Sequence, residues 1–210
     1  MGINTHGLAL LWQTVADGSA AAGFCVPTQL VMREVLATAT GVADAVAIAR
    51  AFPACVTNNL DFADPSGAIA SLETGPNGRW ATGTAGAGPG GGGAWIAHTN
   101  EFLWDQRGAE REISVDPTSI ARGAALRDFL NATTAAGGFH GSLASIKERY
   151  ATPPVFQGTP ARNGAPMRPS PAGIYTSVVL VFDVAGRALH YRLPYEAGAA
   201  GEAYRVVVRL

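Results

Sequence analysis

The sequence predicts an α+β fold in which antiparallel sheet is covered by layers of helix. Three observations carry this. The 210 residues are 48% hydrophobic and 15% charged, a globular composition with enough apolar surface for one sizeable core. Two helical stretches separated by a glycine lie between strand-like runs. The chain also closes on three strand-like segments, the first two joined by a tight turn.

The elements follow in order. Gly7 to Val15 reads as a buried strand, and a small-residue loop comes after it. Pro27 suits the first turn of a helix. Beyond it Val31, Val35 and Ala39 recur every four residues, the spacing of one helix face, and Gly41 is the expected stop. Asp44 to Phe52 reads as a second short helix ended by Pro53. Cys55 to Phe62 and Ala68 to Thr74 form a predicted hairpin, with Ala63 to Gly67 ("ADPSG") supplying turn chemistry. "GRWAT" follows as a third strand, and Gly83 to Gly93 as a glycine-rich surface loop. Ala94 to His98 is predicted to be another strand. A helix is expected from Pro117 to Thr134 and a shorter one over Ser142 to Tyr150, capped by Ser142. Ala151 to Ala172 is proline-rich and aperiodic, an extended connection. "YTSVVLVFD", "ALHYRLP" and "YRVVVRL" are the closing strands, with "VAGR" as the first turn. No internal repeat or boundary divides the chain, so residues 1–210 are expected to form one domain.

Several classes of function are disfavoured. A net charge of −1 with scattered Lys and Arg leaves no electrostatic footprint for nucleic acid. No apolar run reaches the roughly 18 residues of a membrane span. The first residues lack a basic region and a small-residue cleavage site, so no signal peptide and a cytoplasmic location are expected. The histidines His6, His98, His140 and His190 are isolated from one another, and no Cys/His spacing suits zinc; no metal and no cofactor are expected.

The candidate residues are few. The loop "GTAGAGPGGGG" lacks the Lys-Ser/Thr of a P-loop and precedes a strand, so a surface loop is the better reading. Cys25 stands just before a helix start, where thiol pKa values fall, yet no histidine partner is near in sequence; a buried or incidental small residue is the preferred reading. Cys55, at a strand start, is expected in the core, and a disulfide framework is not expected. Asp64 is placed to organise its turn, and Asp61 to face solvent or a neighbour. Asn100 differs in kind, because its amide donates without titrating. At a strand end it could aim a fixed donor at an oxyanion, worth about 3 kcal/mol in acyl transfer. By spacing alone, a capping or turn residue is the stronger reading.

Five segments together resemble one family. "GINTHGLAL" is similar to the "G-[FM]-N-x-x-G-[LV]-A" strand of the acyl-CoA:6-aminopenicillanate (isopenicillin-N) acyltransferase family. "VPTQLVMREVLATATGVADAVAIARAFP" resembles its helix pair, and "NNLDFADPSGAIASLET" its hairpin with "A-D-x-x-G" and a later Glu. "HTNEFL" resembles "H-T-N-H-[FC]", and "YTSVVLVFDVAGRALHYRLP" its late "T-x-x-S" hairpin. The order is the family's order.

The resemblance implies an N-terminal-nucleophile hydrolase: an αββα sandwich of antiparallel sheets, and a cysteine freed by self-cleavage that forms an acyl-enzyme from an amide or thioester. It implies that Asn100 is the oxyanion-hole donor, with His98 and Thr99 shaping that strand end. The substrate would be a small-molecule amide or acyl-thioester. The nucleophilic cysteine, its cleavage site and a following aspartate have no counterpart here; neither Cys25 nor Cys55 sits at the nucleophile's place. The family's arginine before "T-x-x-S" has Arg168 as its nearest equivalent, displaced by several residues, and Glu101 replaces the second His of "H-T-N-H". The chain is therefore expected to be a truncated enzyme, incomplete at its N-terminus, inactive alone and partnered by a missing N-terminal segment or chain. The alternative is a non-catalytic binding or scaffold protein on the same fold.

Overall fold

The computed structural model describes residues 1–15, 20–84, 95–105, 117–134, 144–145, 179–183, 188–192 and 205–209. Among them lie a five-stranded and a three-stranded antiparallel sheet and three helices, an α+β arrangement.

The five-stranded sheet runs in chain order: β1 (Gly2–Ile3), β2 (Ala9–Thr14), β3 (Asn58–Ala63), β4 (Ile69–Gly75) and β5 (Arg79–Thr84). Helices α1 (Thr28–Thr38) and α2 (Val42–Ala51) are inserted between β2 and β3. Successive strand residues face opposite sides, so the pairing register decides the two faces of the sheet. Leu10, Phe62 and Ala70 line up across β2, β3 and β4, and Leu60 pairs with Leu72. These residues and Leu8 meet Val31, Met32, Val35 and Ala39 of the first helical stretch and Val42, Ala45 and Ala49 of α2 in one buried cluster. The opposite face carries Gln13, Asn59 and Glu73 in one cross-strand row and Asp61 and Ser71 in the next. Apolar packing therefore claims one face and leaves a largely polar one.

Short polar residues bind the helices to the strands. The Asn4 carbonyl oxygen Oδ1 accepts from the His6 and Leu8 amides, each at 3.0 Å, closing the β1–β2 turn, where Gly7 has φ 83°. Its Nδ2 donates to the Ala39 carbonyl at the end of α1 at 2.8 Å. Gly41, expected to stop the first helix, instead precedes α2; α1 ends with Ala39 as its C-cap residue. Glycine offers no capping oxygen, and Asp64 of the β3–β4 turn supplies it, accepting from the Val42 amide at 2.9 Å. A Cβ on Gly41 would stand 3.0 Å from that carboxylate. Asp64 also organises its own turn, as expected, by accepting from the Ser66 amide at 2.9 Å. Burial would raise its pKa, but the bonds from Ser66 and from the Val42 amide outweigh this and hold it below the usual value. The three-residue β4–β5 connection, residues 76–78, places Asn77 and Gly78 at φ 63° and 71°, the left-handed region that Asn and Gly tolerate best.

The cysteines overturn an expectation. Cys25 and Cys55 are joined in a disulfide, with Cα atoms 4.9 Å apart and a sequence separation of 30. Neither is an incidental thiol or a core filler. Two loops that look unrelated in sequence run side by side: the Ala21 amide donates to the Cys55 carbonyl at 3.0 Å, and the Val26 amide to the Pro53 carbonyl at 2.8 Å. Closing a loop of this length restricts the unfolded chain by about 3–4 kcal/mol. Replacing both cysteines by serine is expected to lower the urea midpoint accordingly. A midpoint equal to the wild type's, with reductant failing to shift either protein, would count against the bond.

The 94–98 strand is also corrected. Residues 95–99 form no ladder; side-chain hydrogen bonds hold the segment from 98 to 105. Gly83, expected in the loop, ends in β5, where a Cβ would come within 2.1 Å of the Trp104 ring. Most of that loop lies outside the described residues. The third helix, α3 (Pro117–Thr134), stands where the sequence placed it. Of the 142–150 helix only residues 144–145 are described, and they are helical; Ser142 and the 151–172 connection lie outside. The closing strands are β6 (Val179–Asp183), β7 (Ala188–Arg192) and β8 (Arg205–Arg209), in that order in the three-stranded sheet; the "VAGR" turn is outside the described residues.

Candidate functional site

The polar face of the sheet and the segment from His98 to Asp105 form one connected structure, centred on Glu73. This carboxylate is 1% exposed. One oxygen accepts from His98 Nε2 at 2.9 Å and the Leu103 amide at 2.6 Å. The other accepts from the amides of Trp104 at 3.1 Å and Asp105 at 2.5 Å. Three successive backbone N–H groups thus converge on one anion, an arrangement that suits a buried charge. Asp105 extends it to β5 through an ion pair with Arg79 at 2.7 Å.

His98 completes the centre. Its Nδ1 faces the Thr99 carbonyl at 2.6 Å, while Nε2 faces Glu73. Both partners are acceptors, so the site suits the protonated ring, which has a donor on each nitrogen. Burial would push its pKa down; the Glu73 hydrogen bond, the charges of Asp61 and Glu73 and the Thr99 carbonyl together raise it above the ordinary value. On the same face Asn59 donates to Gln13 and to Asp61, each at 2.8 Å, and accepts from Ser71 at 2.8 Å. Asp61 therefore pairs with a neighbour, one of the two outcomes expected of it.

Anchored by His98, the next two residues meet α3. Thr99 Oγ1 donates to the Ser119 carbonyl at 3.2 Å and accepts from Ser119 Oγ at 3.0 Å. Ser119 Oγ in turn accepts from the Asn100 amide at 2.9 Å. Gly123 permits this close approach: a Cβ there would lie 2.8 Å from Glu101 Oε1 and 3.4 Å from Thr99 Oγ1. The Asn100 side chain is exposed, unlike the two residues before it. Its Nδ2 donates to the Thr14 carbonyl at the end of β2 at 2.8 Å, and its Oδ1 accepts from Arg122 Nη2 at 2.9 Å. The result is a solvent-facing amide held at both ends beside a buried ionic anchor.

The structure thus brings His98, Thr99 and Asn100 together with Glu73, Ser119 and Arg122. Arg168 lies outside the described residues. Among the described residues no group of His, Cys, Asp or Glu could hold a metal ion, and no helix is long and apolar enough to cross a membrane. The sequence marked Glu73 only as the later Glu of the family-like hairpin and not as a site residue, although a carboxylate between buried strand residues in "IASLETG" is a signal that it needs a buried partner. Ser119 and Arg122 left no such signal, because their roles depend on where α3 docks.

Residues 1–157 match the acyl-coenzyme A:6-aminopenicillanic acid acyl-transferase family. The chain belongs to that family. No curated protein matches the chain. For this acyl-transferase family member, four of the five motif segments fall inside the matched residues; the late hairpin and Arg168 lie beyond them. Several of the motif residues are structural. Asn4 and Gly7 close a turn, and Asp64 closes another while capping α2. The family connects the chain with acyl-transfer or hydrolytic chemistry in general.

Proposed function

We propose that this chain provides the oxyanion-stabilising part of a cysteine-dependent acyltransferase or amidohydrolase acting on small-molecule amides or acyl-thioesters. The observation that carries the reading is Asn100: an exposed amide, fixed at both ends, on the family's "H-T-N" segment. In the proposed reaction a cysteine thiolate attacks the substrate carbonyl carbon, forming a C–S bond. The carbonyl oxygen becomes an oxyanion and accepts a hydrogen bond from Asn100 Nδ2. Collapse of this intermediate expels the amine or thiolate leaving group, which takes up a proton, and leaves a thioester acyl-enzyme. Water or an amine then attacks that thioester and regenerates the thiol. His98 and Thr99 act beneath, holding Asn100 in place.

The two cysteines of these residues are consumed in the disulfide, so the proposed nucleophile is a cysteine outside residues 1–210. The proposed architecture around it is one domain of the αββα type, with the polar sheet face turned toward the second sheet. The disulfide supports maturation in an oxidising compartment rather than the cytoplasm expected from the first residues. The second reading is a non-catalytic binding or scaffold protein on the same fold.

The 210-residue chain alone is expected to release no thiol from an S-acyl N-acetylcysteamine thioester, whether or not the disulfide is reduced. Turnover that depends on reduction and disappears in Cys25→Ala would overturn the assignment of the nucleophile. In the enzyme carrying the nucleophile, turnover insensitive to Asn100→Ala would sink the oxyanion role of this residue, and no turnover at all would leave the scaffold reading.

A further inference from the structure

We propose that Arg122 is a positioning residue: it fixes which end of the Asn100 amide faces the reacting acyl group, so that α3 sets the competence of the oxyanion donor. This rests on the assignment of Asn100 as that donor. The two ends of a carboxamide have nearly the same shape and opposite polarity. Presented one way, Asn100 offers N–H to an oxyanion; flipped, it offers a carbonyl oxygen, which repels it. Two contacts decide between these. Arg122 Nη2 donates to Oδ1 at 2.9 Å, and Nδ2 donates to the Thr14 carbonyl at 2.8 Å. A guanidinium carries only donors, and a peptide carbonyl only accepts. Flipping the amide would therefore set donor against donor and acceptor against acceptor at once.

Thr14 and Arg122 are not redundant. The Thr14 carbonyl takes one N–H, and the planar amide directs the second away from it. Arg122 withdraws electron density through Oδ1, so that the remaining N–H becomes a stronger donor. The guanidinium is held at the right height by the same turns of α3 that grip the neighbouring backbone. Ser119 Oγ accepts from the Asn100 amide at 2.9 Å, and Gly123 lets the helix approach residues 99–101. Ser119, Arg122 and Gly123 lie within a turn and a half of one another, so this geometry belongs to a single rigid element.

The first test uses the 210-residue chain and NMR. The Asn100 side-chain NH2 signals are identified by their loss in Asn100→Ala. In Arg122→Ala these signals should shift and exchange faster with solvent, whereas Arg122→Lys, which keeps a cationic donor, should retain most of the protection. Signals in Arg122→Ala that match the wild type would overturn the proposal. Should Arg122→Ala fail to fold, Arg122→Met, which keeps the aliphatic stem without a donor, serves for the same comparison. The second test is kinetic, in the enzyme carrying the nucleophile. Loss of a charge-assisted hydrogen bond is expected to lower kcat about 10- to 100-fold with KM nearly constant. In an Asn100→Ala background Arg122→Ala should cost nothing more, because both act through one amide. A further loss of the same factor there would overturn the positioning role. A fall in kcat for Asn100→Ala with none for Arg122→Ala would sink the role of Arg122 alone; unchanged turnover in Asn100→Ala would remove the donor assignment and this proposal with it.

Discussion

Asn100→Ala is expected to lower kcat for acyl transfer or amide hydrolysis about 100- to 1,000-fold, the effect of removing one oxyanion donor. KM should change little, because the bond forms as charge develops on the substrate oxygen and is weak to the ground-state carbonyl. The fold should survive. Asn100 is exposed, and the main-chain bond from its amide to Ser119 does not need the side chain. Asn100→Asp separates donor from shape: an aspartate still accepts from Arg122 but has no N–H for an oxyanion, so it should lose as much activity as alanine. Turnover in Asn100→Asp close to the wild type's would sink the oxyanion assignment, whatever the alanine variant does.

Glu73→Ala is expected to be strongly destabilising. It would strand the buried His98 ring and three backbone N–H groups that converge on the carboxylate. Removing one partner of a buried ion pair costs about 3–5 kcal/mol, a large share of the stability of an ordinary domain. Glu73→Gln tests the charge itself, since its NH2 group must face some of the same donors. A urea midpoint for either variant near that of the wild type would show that the anchor contributes little.

The same pair predicts a pH dependence. The His98 pKa is raised above its ordinary 6.5 in the folded chain. Its contribution is therefore fully present below the unfolded value and lost as pH rises through the folded one. The thermal midpoint of the wild type should fall on the alkaline side of 6.5, and His98→Gln should flatten that part of the profile. A wild-type midpoint that rises over that interval would contradict the raised pKa of His98.

Much of the fold was legible because it rests on local rules. The "ADPSG" turn, the 117–134 helix and the valine-rich closing strands follow from turn chemistry and periodicity, which act over a few residues. Two errors share one cause. Ala94 to His98 has the apolar pattern of a strand, but the segment gives up a ladder for the Glu73 carboxylate, 25 residues earlier at His98. Cys25 and Cys55 look unrelated because nothing near either shows that residues 20–26 run beside 53–56. In each case a distant partner won over a local preference.

Of the site, the sequence by itself determined the His-Thr-Asn segment, through its likeness to a family motif. Only the tertiary structure decided what those residues do. It buries His98 on Glu73, sets Thr99 and the Asn100 backbone on Ser119, and leaves the Asn100 amide held between Thr14 and Arg122. The physical reason is range. Backbone preferences and hydrophobic period are properties of neighbouring residues, whereas the pairing of buried charges and the orientation of an amide depend on donors and acceptors brought in from other elements.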